Sequence, residues 1–194
     1  EKPIIVSELL QSPEAKMKID AGLLAGDREV TKLVLRTLLD PRYESGAIVD
    51  GYPRTKTQVE CLKLFHGRLS ELRTKYLGTF QEEQFPKPRF HIIMLFIDEE
   101  ESVRRQILRG QRTIDHNAEV EASGVGETRE VRKTDLDEDA AHRRYKTFKE
   151  STYDSLTTLR EVFHYHFVNA HGTVIEVQQR IIRELKYQSS LELD

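Results

Sequence analysis

The stretch from Phe90 to Ile97 is almost continuously apolar and is bounded by charge on both sides, and it constrains the chain more than any other feature. A strand with one wet face alternates apolar and polar residues, whereas a near-continuous run marks a strand covered on both faces of a parallel sheet. Parallel neighbours cannot be joined by a tight turn, so such a strand demands long crossover connections, usually helices.

The rest of the chain supplies them. Ile4 to Val6 is a short apolar run followed at once by a helix start at Ser7-Glu8-Leu9-Leu10. Asp27 has the character of an N-cap for a helix reaching Leu39, with Val30, Leu33, Val34 and Leu38 on one face and Pro41 as its stop. Gly46 to Gly51 gives a buried strand ending in an aspartate and a glycine. Val59, Leu62, Phe65, Leu69, Leu72 and Tyr76 keep helical spacing, and Gly78 to Pro88 forms a loop. After the central strand, Glu99 to Arg109 is a helix with an acidic start and a basic end, as the helix dipole favours. Helix resumes from Asp137 to about Glu161, with Ala141, Tyr145, Phe148, Thr152, Leu156 and Leu159 on one stripe. A strand from Phe163 to Val168 and a helix from Thr173 to Lys186 complete the order, and Lys186 to Asp194 is a tail. The fold class expected is α/β, a parallel sheet with helices on both faces. Gln111 to Glu130 breaks the pattern, being polar, with Gly124 and Gly126 and few large apolar side chains, and reads as an exposed lid insertion at about 110–134.

The 194 residues suit one domain with a mobile insertion. Hydrophobic residues at 38% and charged ones at 32% argue for a globular fold over disorder, and no apolar run reaches the roughly 18 residues of a membrane span. Thirty basic against 33 acidic residues give no general nucleic-acid surface, so the clustering of arginines matters more than their total. Cys61 is alone, which excludes an internal disulfide and a four-cysteine zinc site and favours a reducing compartment, the cytoplasm or an organelle matrix. The segment Glu1-Lys2-Pro3-Ile4-Ile5-Val6 has no signal-peptide pattern. His164 and His166 sit two apart on a strand, as ordinary sheet residues do, although a metal chelate has the same spacing.

The chemistry concentrates in Asp50-Gly51-Tyr52-Pro53-Arg54-Thr55-Lys56-Thr57-Gln58, directly after a strand end, where open parallel sheets bind their ligands. An aspartate there can hold magnesium through water, a glycine admits a ligand to the backbone, and an arginine offers a planar fork to a phosphate. The same spacing also suits a plain turn in which Asp50 caps a helix and Arg54 is solvated.

With Gln58 four residues after Arg54, this stretch resembles the Asp-Gly-(Phe or Tyr)-Pro-Arg signature, with its following Gln, of adenylate kinases and UMP/CMP kinases. Asp20-Ala21-Gly22 with Leu24 and Asp27 is similar to the family's monophosphate-gripping segment, which would occupy about residues 7–45. Arg105-Gln106-Ile107-Leu108-Arg109-Gly110 resembles the arginine pair where the lid begins, and Arg132-Lys133-Thr134-Asp135 with Arg143-Arg144 the pattern where it ends. The resemblance implies that Arg54 binds the phosphate of the monophosphate, Gln58 reads its base edge and Gly51 lies against the base. It implies Asp50 as a water-mediated magnesium ligand and Arg105 as a stacking partner for the adenine of ATP. Arg109, Arg132 and Arg144 would surround the phosphoryl group in transfer, a reaction that depends on positioning and positive charge. Mg2+ is the implied cofactor, and ATP with AMP or a related monophosphate the implied substrates.

Departures are plain. Gln11 stands where the family carries a second phosphate-binding arginine, and Val6 where it carries a base-contacting threonine. The glycine-rich phosphate loop ending in lysine has no counterpart in these residues, so a strand–loop–helix unit of roughly 30 residues is missing. In the family's fold that strand is central, and each unpaired backbone group left beside it would cost about 1–3 kcal/mol. Two expectations follow: a nucleotide kinase whose phosphate loop lies outside these residues, or a kinase-derived binding or structural subunit that has lost it.

Overall fold

A computed structural model describes residues 3–21 and 23–189; Glu1, Lys2, Gly22 of the Asp20-Ala21-Gly22 segment and the end of the tail lie outside the described residues. In chain order the strands and α-helices are β1 (Ile4–Ile5), α1 (Val6–Leu9), α2 (Pro13–Asp20), α3 (Asp27–Leu38), β2 (Val49–Asp50), α4 (Lys56–Tyr76), β3 (His91–Phe96), α5 (Glu99–Ser123), α6 (Glu138–Thr147), α7 (Asp154–Thr157), β4 (His164–Asn169) and α8 (Val174–Ser189). The chain forms two compact units, one comprising residues up to Arg54 with Asp98–Tyr153, the other Thr55–Ile97 with the residues from Asp154 onward.

In the first unit β1 pairs with β2 in parallel, Ile4 opposite Val49 and Ile5 opposite Asp50. Helix α2 begins where the sequence provides a cap: the Ser12 side chain accepts from the Ala15 amide, and Pro13 opens the first turn. Asp27 is the first residue of α3 and not its cap; Gly26 takes that position, and Asp27 and Glu29 place negative charge at the helix's positive end. Val30 and Val34 of α3 close a core with Val6, Leu10 and Ala15.

Two expectations about helices change. Helix α5 does not stop near Arg109 but continues to Ser123. Glutamine, arginine, glutamate and alanine sustain a helix without burying anything, so polarity alone did not make this segment a loop. Its end is a glycine cap, Gly124 at φ 68° with its amide on the Val120 carbonyl. The chain then returns along α5: Asn117 donates to the Arg129 carbonyl at 2.8 Å and accepts from the Arg129 amide at 2.7 Å. Likewise the helix expected from Asp137 to Glu161 is not uniform. After α6 it widens to a π-helical stretch at Phe148–Tyr153, and α7 is followed by a 3-10 turn at Thr158–Glu161.

The second unit is built on β3 and β4, parallel and in register from His91 opposite His164 to Phe96 opposite Asn169. Val59 and Leu62 of α4, Met94, Leu156, Leu159, Phe163 and Val168 are among its buried residues. Phe90 stacks on Phe163 with ring centroids 5.5 Å apart, and His66 meets both rings edge-on. Strand β3 is not covered on both faces as its apolar run suggested: Ile93 and Leu95 remain 39% and 45% exposed while His166 and Val168, on the same face of the pair, are buried.

Leu159 is fully buried and Leu64 lies outside on α4. Leu159→Ala is expected to destabilise the protein by about 2–5 kcal/mol in denaturant unfolding, and Leu64→Ala by less than about 0.5 kcal/mol.

Candidate functional site

Within the first unit, strand β2 delivers Asp50 at its carboxyl end and the chain turns at Gly51, whose φ of 92° lies in the region glycine alone adopts freely. A Cβ at Gly51 would stand 3.1 Å from Nη2 of Arg54, so the missing side chain also makes room for the guanidinium folding back over the turn. Burial pushes the pKa of Arg54 below its ordinary value; the charge of Asp50 opposes this and that of Arg132 adds to it.

Helix α5 carries Arg105 and Arg109 one turn apart, on one face. They meet different partners. Arg105 donates through Nε to Glu101 at 2.7 Å. Glu101 also receives Arg104, and these two hydrogen bonds, that of Arg104 first, hold its pKa down to about 2. Arg109 makes a two-pronged contact with Asp135, Nε to Oδ2 at 2.7 Å and Nη2 to Oδ1 at 2.6 Å. That hydrogen bonding raises the pKa of Arg109, with burial working against it.

Asp135 lies in the 3-10 turn Lys133–Asp135 and is only 3% exposed. Asp137, two residues on, is the N-cap of α6, so Asp135 stands outside that helix and faces the arginines. Gly110 explains how the turn reaches α5: a Cβ there would fall 2.2 Å from the Asp135 carbonyl oxygen and 2.9 Å from Cδ2 of Leu136. Helix α6 adds Arg144, its Nη1 4.0 Å from Asp135 Oδ1 and 3.5 Å from Gln106 Oε1. Arg132 donates from Nη2 toward the Ser7 hydroxyl of α1 at 3.4 Å.

Arg54, Arg109, Arg132 and Arg144 therefore act on one another. Burial lowers the pKa of Arg144 most, the charges of Arg54 and Arg109 lower it further, Asp135 opposes them and Arg132 contributes last. Guanidinium groups stay protonated, so the cluster keeps four cations against two carboxylates, Asp50 and Asp135, an excess of two positive charges in partly desolvated surroundings. Such an arrangement suits a polyanion that accepts hydrogen bonds from several planar forks.

Of the residues singled out in the sequence, Asp50, Gly51, Arg54, Arg109, Arg132 and Arg144 belong to this unit and Arg105 borders them on α5. Gln58 belongs to the second unit, buried in the first turn of α4, with its amide 3.2 Å from the hydroxyl of the N-cap Thr55. Magnesium usually keeps several waters and takes one or two carboxylates plus substrate phosphates. Asp50 fits that role only with phosphates completing the shell, since no group of three or more His, Cys, Asp or Glu able to hold a metal occurs among the described residues. Sequence reasoning assigned no role to Asp135, Gly110, Gln106 or Ser7. Gly110 did carry a signal, because a glycine inside an arginine-rich helix costs about 1 kcal/mol relative to alanine and implies a close neighbour.

Comparison with known proteins brings out one kind of relative. An adenylate kinase of Lactobacillus helveticus is 35% identical over 92 residues, 47% of this chain and 35% of that enzyme. Longer and weaker similarity links the chain to adenylate kinases of Nocardioides sp., 27% over 172 residues covering 89% of this chain and 72% of that enzyme, and of Rickettsia prowazekii, 23% over 182 residues covering 87% and 75%. The chain thus spans about a third of the length of that first relative. No protein-family model matches it.

Gly110→Ala is expected to cost about 1–3 kcal/mol in chemical denaturation, since backbone must move to admit the methyl group. Gly67→Ala, inside α4 with nothing within 4 Å of the added carbon, is expected to stabilise by about 0.5–1 kcal/mol.

Proposed function

We propose that this chain is the acceptor-side and lid portion of a nucleoside monophosphate kinase of the adenylate kinase type, with the α/β P-loop fold of that family, transferring the γ-phosphoryl of Mg-ATP to AMP or a related monophosphate. The observation that carries the reading is the cluster of Arg54, Arg109, Arg132 and Arg144 with its excess positive charge. Similarity to adenylate kinases across most of the chain supports it.

Arg54, on the turn after β2, receives the phosphate of the acceptor nucleotide, with Gly51 leaving room for the base and Gln58 reading the base edge. Arg105 exchanges its contact with Glu101 for the face of the donor adenine, to which a guanidinium can stack. Arg109, Arg132 and Arg144 stabilise charge on the equatorial oxygens of the phosphoryl group as it passes between nucleotides. Asp50 holds magnesium through water, and that ion supplies neutralising charge on the donor's phosphate oxygens. The segment at about 110–134 works as the lid, with the end of α5 and its returning strand of chain as the moving part. No described helix is long and apolar enough to cross a membrane; the single Cys61 agrees with a reducing compartment.

A second reading has one specific observation behind it. Gln11 stands where the family has an arginine, and its amide donates to the Glu8 carbonyl at 2.6 Å. A non-catalytic, kinase-derived subunit would tolerate that replacement. The two readings separate in a coupled kinase assay on the complete natural protein. The kinase reading expects turnover, with Arg54→Ala reducing kcat/KM by about 10²–10³-fold. Equal activity in both would remove Arg54 from the site, and no turnover by the unmodified protein would favour the subunit.

A further inference from the structure

Two of the four clustered arginines lean on oxygens that carry no charge. Arg109 is taken by Asp135 through two short hydrogen bonds, and Arg144 stands 4.0 Å from the same carboxylate. Nearer to Arg144 is the side-chain oxygen of Gln106, which accepts from its Nη1 at 3.5 Å. Arg132 has no carboxylate within 4 Å among the described residues, and its Nη2 donates to the Ser7 hydroxyl at 3.4 Å. The proposed reaction gives neither Ser7 nor Gln106 any part.

The fold places both acceptors, and both belong to the first unit. Gln106 is buried with Val103 and Gly110 at helical spacing on α5, where an apolar side chain would pack without the cost of burying an amide. Ser7 comes just after β1, whose last residue Ile5 is opposite Asp50 of β2. It therefore stands at the carboxyl ends of two parallel strands, where open sheets bind their ligands.

A carboxylate and a neutral oxygen orient a guanidinium with different consequences. The carboxylate neutralises the charge it holds, whereas a hydroxyl or amide oxygen accepts one hydrogen bond and leaves that charge for another ligand. A guanidinium has five N–H donors, so an arginine can keep one on its neutral acceptor and offer the others to an anion. The charges of Arg54, Arg109 and Arg132 all bear on Arg144, and an acid at either position would relieve a crowding of like charge that serine and glutamine leave in place. Both contacts are long for hydrogen bonds, so each steers its guanidinium without binding it tightly.

We infer that Ser7 and Gln106 are positioning residues of the site, uncharged acceptors that aim Arg132 and Arg144 at an incoming phosphate group and leave both charges available to it. They bring no group to the chemistry themselves and act through the two guanidinium groups. That role rests on the kinase reading above for the identity of the anion, a phosphoryl group in transfer, while the presence of an anion site rests on the arginines alone.

Calorimetric titration of the folded full chain with inorganic tripolyphosphate, with chemical denaturation of each variant in parallel, tests the role. Ser7→Asp gives Arg132 the acid it lacks: the denaturation midpoint is expected to hold or rise while tripolyphosphate binding weakens about tenfold or more. Ser7→Ala and Gln106→Met are each expected to weaken binding about 3–10-fold. Neither loss recurs when Ser7→Ala is made in Arg132→Ala, or Gln106→Met in Arg144→Ala, because each residue acts through its own arginine. Tripolyphosphate binding by Ser7→Asp as tight as by the unmodified chain overturns the role. So do losses that recur undiminished in the arginine variants, which would mark a merely structural part, and so does an unmodified chain that does not bind tripolyphosphate. A complete protein that shows this binding pattern yet gives no turnover in the coupled assay removes the kinase reading and leaves the positioning role supported.

Discussion

The two-pronged contact between Arg109 and Asp135 is the interaction on which the candidate site depends. It joins a long helix to a single tight turn, and it exists because Gly110 lets that turn lie against α5 with no side chain between them. Asp135 is buried and acceptor-only when ionised, and guanidinium groups supply the donors it faces. Arg109 supplies the hydrogen bonds and Arg144 a second, looser charge at 4.0 Å. An internal carboxylate thus holds the arginines in place, and any incoming anion meets groups already oriented, which is the condition for strong electrostatic stabilisation of developing charge.

Asp50 and Asp135 together do not balance the four arginines. Arg54 and Arg144 are both pulled below their ordinary pKa, in part by neighbouring arginines. Arginines clustered for stability alone would each bring an acid. Here Arg109 and Arg144 share Asp135, and like charges lie close enough to lower the pKa of Arg54 and Arg144. Elsewhere on the same helix one acid is shared within a turn: Glu101, half-buried, accepts from both Arg104 and Arg105. These two arginine groups, one turn apart on α5, therefore differ in how far their charge is balanced.

Much of this was legible in advance. Helices α3 and α4 were readable because their apolar spacing reports burial, Val30, Val34, Val59 and Leu62 all being buried; the strand expected at Gly46 to Gly51 shrinks to Val49–Asp50 with Ile48 75% exposed, and Val174 of α8, expected inward, is 84% exposed. What escaped notice had physical reasons. The extension of α5 to Ser123 carries no apolar stripe to betray it, since a helix lying in solvent needs only residues that tolerate helical backbone. The role of Asp135 was hidden because local sequence cannot distinguish the acid that begins a helix from the acid that precedes one by a turn and folds inward. His166 was read as a strand residue, and only the parallel register, which no local pattern reveals, brings His91 beside it. The covering of β3 was overread, because apolar residues record what a strand can be packed against and not how much of it is covered.

The central claim is that Arg54, Arg109, Arg132 and Arg144 constitute one anion-binding unit. Side-chain Nε–H spectra of these arginines, recorded while the folded full chain is titrated with ATP and then AMP, test it most directly. The account predicts that all four resonances shift with a common midpoint for the ligand that engages them. Resonances that move one at a time at unrelated concentrations, or that stay still while the chain remains folded, would contradict it.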